Sequence, residues 1–179
     1  MALLIATSTE GRGEDMIIHT VELTVENALA EQFYDFMISP TNEAYSAWWP
    51  GEHLQFHIVK HGDKDHHGDL VFMDEHLGEN HRLVFNAIVI KAVRPHTITW
   101  QMKKAGLRLP AVVTLELYDS PKGVILKHEL RIGFAGIGKI CDPFIKLYFN
   151  KSFQTALDEH CKIEWDKLTD FLNPSKTEG

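Results

Sequence analysis

Two side chains able to do chemistry together, His160 and Glu164, stand four residues apart near the C-terminal end of the chain. From Asp142 to Leu172 apolar residues recur at Phe144, Tyr148, Phe153, Leu157, Leu168 and Phe171, the alternating three-and-four spacing of an amphipathic helix. The stripe passes through His160 and Glu164, which turns an imidazole and a carboxylate toward the interior. An ionised carboxylate buried without a partner costs several kcal/mol, and a cation between the two side chains offsets that cost. Ligands one helical turn apart converge on a point above the helix, a geometry suited to zinc or another divalent transition metal. The plainer alternative is a His–Glu hydrogen bond in a cavity wall.

Other candidates are placed by strand parity. Glu75 shares its face with Val71 and Met73, so it points inward from its strand. After Pro50 and Gly51 the apolar set is Leu54, Phe56 and Ile58, and simple alternation turns His53, Gln55 and His57 outward unless a bend or bulge resets His53. In the segment LKHELRI, His128 falls in the set of Leu126, Leu130 and Ile132 and faces the interior. There it fits a fourth metal ligand, a general acid or base, or a core histidine. His61, His66 and His67 crowd a turn rich in Asp, Lys and Gly and read as a solvated loop, and His76, His81 and His96 flank other turns. Tyr45, Trp48 and Trp49 cluster, with Trp100 and Tyr148 on other elements; they read as core or as the lining of an aromatic-ligand cavity. Cys161 points about 100° around the helix from His160, which argues against a shared role with it.

The elements that must position these groups are legible. A chain of 179 residues with 44% hydrophobic content builds one substantial core, and a formal charge of −7 without any run of basic residues argues against nucleic acid. Cys141 and Cys161 lack CxxC spacing and read as free thiols of a reducing, cytoplasmic setting. The opening MALLIATS is too short in apolar residues for a membrane span, so residues 1–15 read as a mobile arm, 16–173 as one domain and 174–179 as a frayed tail. A dimer is compatible with the sequence.

Residues 17–25 alternate as a first strand, and Asn27 is placed to cap a helix through Ile38. Ser39 and Pro40 then open a second short helix ending at Trp48. Six further strands are expected at about 53–60, 68–77, 81–93, 96–104, 110–119 and 123–134, separated by turn-forming stretches such as HGDKDHHGD and DSPKG. The long helix follows. This α+β order, with about seven antiparallel strands wrapped around a C-terminal helix, resembles the helix-grip fold of the START, Bet v 1-like and polyketide-cyclase proteins (SRPBCC) over residues 16–173. That resemblance implies a hydrophobic cavity and a small apolar or aromatic ligand, without implying catalysis.

A narrower likeness lies in DEHLGE at 74–79 and DEHCKIEWDKLTDFL at 158–172, which resemble stretches of the zinc-dependent diacetylphloroglucinol hydrolase family. In that family two histidines and two glutamates hold the metal. The resemblance assigns His160 and Glu164 to the pair on the last helix, Glu75 to the strand glutamate and His53 to the remaining histidine. It implies hydrolysis of a carbon–carbon bond beside a ketone carbonyl of an acylated aromatic or diketone-like molecule, with Glu164 or His128 moving the proton. Two histidines and two carboxylates also suit manganese, iron or nickel. Two other readings stay open: a metal-free carrier of a lipid or polyketide-like ligand, and a cyclase-like enzyme that needs no metal and uses His128.

Overall fold

The computed structural model describes residues 5–7, 17–26, 28–78, 81–133 and 151–173. Strands β1 (Ile5–Thr7) and β2 (Ile17–Glu26) come first, followed by helices α1 (Ala30–Ile38) and α2 (Asn42–Trp48). The sheet continues through β3 (His53–Lys60), β4 (Leu70–His76), β5 (Arg82–Val93), β6 (Thr97–Lys104), β7 (Leu107–Ser120) and β8 (Gly123–Ile132), and helix α3 (Lys151–Leu172) closes the described chain. All pairings are antiparallel in the order β1-β2-β8-β7-β6-β5-β4-β3, so the first long strand joins the last and the rest form a meander. The expected seven strands are present. An eighth is added because residues 5–7, assigned to an arm by sequence, pair with Thr20 to Glu22 at the sheet edge.

Local chemistry sets the ends of these elements. At the β6–β7 hairpin Lys104 pairs with Leu107, and the two residues between, Ala105 (φ 49°) and Gly106 (φ 82°), both adopt positive φ, as a type I′ turn requires. Helix α2 differs from expectation: Ser39 terminates α1, and Thr41 caps α2 by accepting the Ala44 N–H at 3.1 Å. The threonine hydroxyl satisfies an amide that a cap at Ser39 would have left two residues out of reach. Asn27, the expected cap of α1, lies outside the described residues. There Leu29 occupies the cap position without a side-chain bond, and the Ala30 N–H is met by Asp119 Oδ1 at 3.3 Å.

Helix α3 runs 22 residues, roughly 33 Å, and buries Phe153, Leu157, His160, Cys161, Trp165 and Leu168 on one stripe. The N-terminal part of the expected helix, with Phe144 and Tyr148, lies outside the described residues. His19 Nε2 on β2 meets Asp158 Oδ1 at 2.7 Å and Trp48 Nε1 donates to the Glu164 carbonyl at 3.1 Å, fixing α3 to the sheet on one side and to α2 on the other. Trp165 and Leu168 are at most 1% exposed, and each such side chain contributes about 1.5–3 kcal/mol by burial. Between α3 and the inner sheet face lies a cavity of about 580 Å³. Its walls are Ala87, Trp100 and Leu115 from the sheet and Phe153, Leu157 and Trp165 from the helix.

Candidate metal centre and cavity

The turn Trp49-Pro50-Gly51-Glu52 begins the site. The Glu52 N–H donates to the Trp49 carbonyl at 3.1 Å, with proline at the second position and Gly51 at φ 89° in the third, the signature of a type II turn. The next residue, His53, pairs with Glu75 across β3 and β4, but Gln55 pairs with Asp74. Leu54 is thus an extra residue, and this bulge turns His53 to the same side as Phe56. The alternation that pointed His53 outward is broken there, and His53 is 1% exposed.

Around His53 stand three aromatic rings. Tyr45 stacks on it with centroids 4.5 Å apart, and Trp48 meets it edge-on at 4.2 Å. Trp49 lies 5.6 Å from His53 and stacks on His160 at 4.5 Å. Neither ring nitrogen of His53 has a hydrogen-bond partner among the described residues. His53 Nε2 is 3.6 Å from Glu164 Oε1, and one ligand atom from each of His53, His160 and Glu164 lies within 4.8 Å of the other two. Glu75 is not a member of that triad. It lines the cavity beside it, its Oε2 accepting the Tyr45 hydroxyl at 2.7 Å.

The electrostatics show two neutral imidazoles among carboxylates that resist ionisation. Burial lowers His53 to about 4 against the pull of Glu75 and Glu52, and burial also lowers His160, opposed by Glu164. Burial raises Glu164 to about 7 and Glu75 to about 6, with Glu164 adding to the shift of Glu75 and His53 and the Tyr45 hydroxyl opposing it. Neutral imidazole nitrogens and carboxylates are the donors zinc takes, and a dication would reverse the penalty on both acids. The two nitrogens of buried His53, without a hydrogen-bond partner among the described residues, supply the structural reason that a cation fits here.

The remaining sequence candidates fall in three places. His128 and Trp100 line the cavity, but His128 is not part of the triad. Tyr45 and Trp48 lie behind the site, packed on His53, and Trp49 borders an adjoining cleft lined by Glu52, His81 and His160. These three rings therefore cage the histidines and do not wall the large cavity. Tyr148 lies outside the described residues. Sequence reasoning passed over Glu52, whose buried Oε2 has no hydrogen bond among the described residues and lies 4.0 Å from His160 Nδ1. Its place directly before His53 at a proline–glycine turn was the available signal.

No family model matches the sequence, and no curated protein matches it as a relative. Solved structures do share its architecture. The protein of unknown function SA2116 from Staphylococcus aureus aligns at TM-score 0.60 and 11% identity, over 94% of this chain and 100% of that one. The di-domain ARO/CYC BexL of the BE-7585A biosynthetic pathway aligns at TM-score 0.63 and 12% identity, over 90% of this chain and 52% of BexL, so this chain spans about half of that protein. Major latex-like protein 151 from Panax ginseng aligns at TM-score 0.54 and 10% identity, over 81% of this chain and 97% of that one. The fold is the helix-grip fold: a curved antiparallel sheet closed by a long C-terminal helix, with two short helices after the first long strand. No helix among the described residues is long and apolar enough to cross a membrane.

Proposed function

We propose that this chain binds a divalent transition metal, zinc before others, through His53, His160 and Glu164 with Glu75 beside them, and hydrolyses a carbon–carbon bond next to a carbonyl in a small acylated aromatic or diketone-like molecule. The observation that carries the reading is His53: a buried ring whose nitrogens both lack a hydrogen-bond partner among the described residues, in a triad with His160 and Glu164, which line an apolar cavity. A bound zinc ion would supply Lewis acidity toward a carbonyl oxygen and activate water near neutral pH. The chain supplies the rest. Tyr45 holds Glu75 in place by its hydroxyl, Trp49 fixes the plane of His160, and Met73, Phe85 and Phe153 give the ligand's hydrocarbon part a dry surface. Proton transfer to the departing carbon falls to Glu164 or Glu75, the two carboxyls of the site that line the cavity.

The test is elemental analysis of protein purified without chelator or metal-affinity resin, beside a His160→Ala, Glu164→Ala double variant. An equivalent of zinc in the parent and none in the folded variant supports the centre and justifies screening acylated phenols and β-diketones for hydrolysis. Absence of metal even after incubation with zinc rejects it. The cavity favours a second reading, a metal-free carrier of an apolar ligand, because its walls are predominantly hydrocarbon and its shape is that of a small-molecule site. A cyclase-like enzyme of the same cavity is distinguished from both by turnover that survives exhaustive chelation.

A further inference from the structure

Strand β8 presents one polar side chain, His128, within an apolar stretch of the cavity. Its cross-strand neighbours are Val21 on β2 and Leu115 on β7, each at most 1% exposed. Trp165 flanks the ring with centroids 6.0 Å apart. Cys161, 1% exposed and one residue beyond His160 on α3, places Sγ 3.7 Å from His128 Nδ1. The other nitrogen, Nε2, has no hydrogen-bond partner among the described residues, and the residue forms part of the cavity wall. A neutral imidazole carries one donor and one acceptor nitrogen, and a thiol is a weak donor. With the S–H as donor to Nδ1, the ring proton sits on Nε2, the nitrogen left for a ligand in the cavity that His128 lines.

We propose that His128, held as its Nε2–H tautomer by Cys161, is a binding site for an acceptor oxygen, a carbonyl or enolate, of an otherwise apolar ligand, separate from the metal triad. Cys161 is a positioning residue in this arrangement, and His128 makes the contact. Burial lowers the His128 pKa to about 4, so the ring stays neutral across the physiological range and recognises oxygen as a dipole. The site also narrows the class of ligand. A hydrocarbon with one carbonyl satisfies either His128 or the triad, whereas a molecule with two separated oxygens engages both. The inference rests on the cavity part of the reading above and not on the metal.

The experiment uses chelator-treated protein, so that metal cannot contribute, and two probes that share a naphthalene ring and differ in the carbonyl oxygen, 2-acetonaphthone and 2-ethylnaphthalene. The quantity read is the ratio of their dissociation constants. His128→Phe is expected to shift that ratio against the ketone by about fivefold, the scale of one net hydrogen bond, with 2-ethylnaphthalene affinity held within about twofold. In the unaltered protein, histidine 15N shifts should show His128 Nδ1 unprotonated and Nε2 protonated, with Nε2 moving when the ketone is added. Cys161→Ala should abolish that fixed tautomer and Cys161→Ser restore it. An unchanged ratio in His128→Phe, a proton on Nδ1 in the parent, or no saturable binding of either probe at millimolar concentration overturns the proposal. Because the 15N measurement needs no variant, it decides the matter even where His128→Phe does not fold. Metal content, measured separately, reports on the hydrolase reading alone.

Discussion

Two histidine-rich regions of this molecule behave in opposite ways. In the loop between β3 and β4, His66 Nδ1 meets Asp69 Oδ2 at 2.9 Å, and the other carboxylate oxygen of Asp69 accepts the Gly62 N–H at 2.5 Å. Asp63 Oδ1 accepts the N–H groups of Asp65 and His67 at 3.0 and 2.9 Å. Its carboxylates are engaged within the loop, and its histidines either bond there or face solvent. At the triad the reverse holds: His53 is more deeply buried than any histidine of the loop, yet both of its nitrogens lack a hydrogen-bond partner among the described residues. Crowding of histidines is thus a poor guide to a metal centre. Buried imidazole nitrogens without a partner that stand beside a second histidine and a carboxylate are the better one, because the fold forgoes hydrogen bonds there that a ligand could return.

The sharpest way to break this contrast is His53→Ala, which should weaken zinc binding at least about a hundredfold, since even outer partners of a metal site cost 10- to 100-fold. His66→Ala with His67→Ala should leave zinc affinity unchanged. Competition titration with a chromogenic chelator reads both, and equal losses would erase the distinction. Next in size is a pH effect in metal-free protein. Glu164 is raised from 4.5 to about 7 on folding, so it stabilises the fold fully below 4.5 and that contribution is lost as pH rises through about 7. Glu75 behaves likewise through about 6. His53 and His128, lowered from 6.5 to about 4, contribute stability that is present above 6.5 and lost as pH falls through about 4. The two pairs oppose each other between about 4.5 and 6.5, giving a flat profile for the parent. Removing one acid as Glu164→Gln should make the variant gain on the parent by on the order of 3 kcal/mol between pH 4.5 and 8, because the carboxyl that rises from 4.5 to about 7 on folding is gone. Urea unfolding across that range checks it, and parallel profiles would show that Glu164 titrates normally.

The loop has its own test. A Cβ at Gly62 would collide with the His67 carbonyl oxygen and lie 2.6 Å from the Asp69 amide nitrogen, so Gly62→Ala should cost about 1–3 kcal/mol of stability while sparing zinc affinity. The denaturation midpoint and the same chelator titration separate the two readouts. The smallest expected effect is Tyr45→Phe, which frees Glu75 from its hydroxyl partner and should lower zinc affinity about tenfold with the ring stack on His53 kept.

Much of the fold was readable because periodicity reports burial directly. The stripe through His160 and Glu164 survives in α3, and the meander strands lie within three residues of the expected boundaries because turn-forming residues sit between them. What resisted reading depends on pairing, not on pattern. His53 obeys the wrong parity until β3 is seen against β4, because a bulge is a property of two strands. The three rings around the histidines have the residue types of a cavity lining, and only the packing of α2 against β3 and α3 gives them a different task. Cys161 was set aside for pointing away from His160, yet that same rotation brings it to His128 on a strand far away in sequence.

The bulge at Leu54 also makes the spacing of the site elastic. With the extra residue present, His53 and Phe56 share a face although they are three apart; without it, a histidine two residues before the inward aromatic would occupy the same place in a regular strand. Proteins descended from a common ancestor can therefore differ by one codon at this point and keep the same ring at the same spot. A search pattern of fixed length would divide them into strangers, where a comparison of strand pairings would recognise kin.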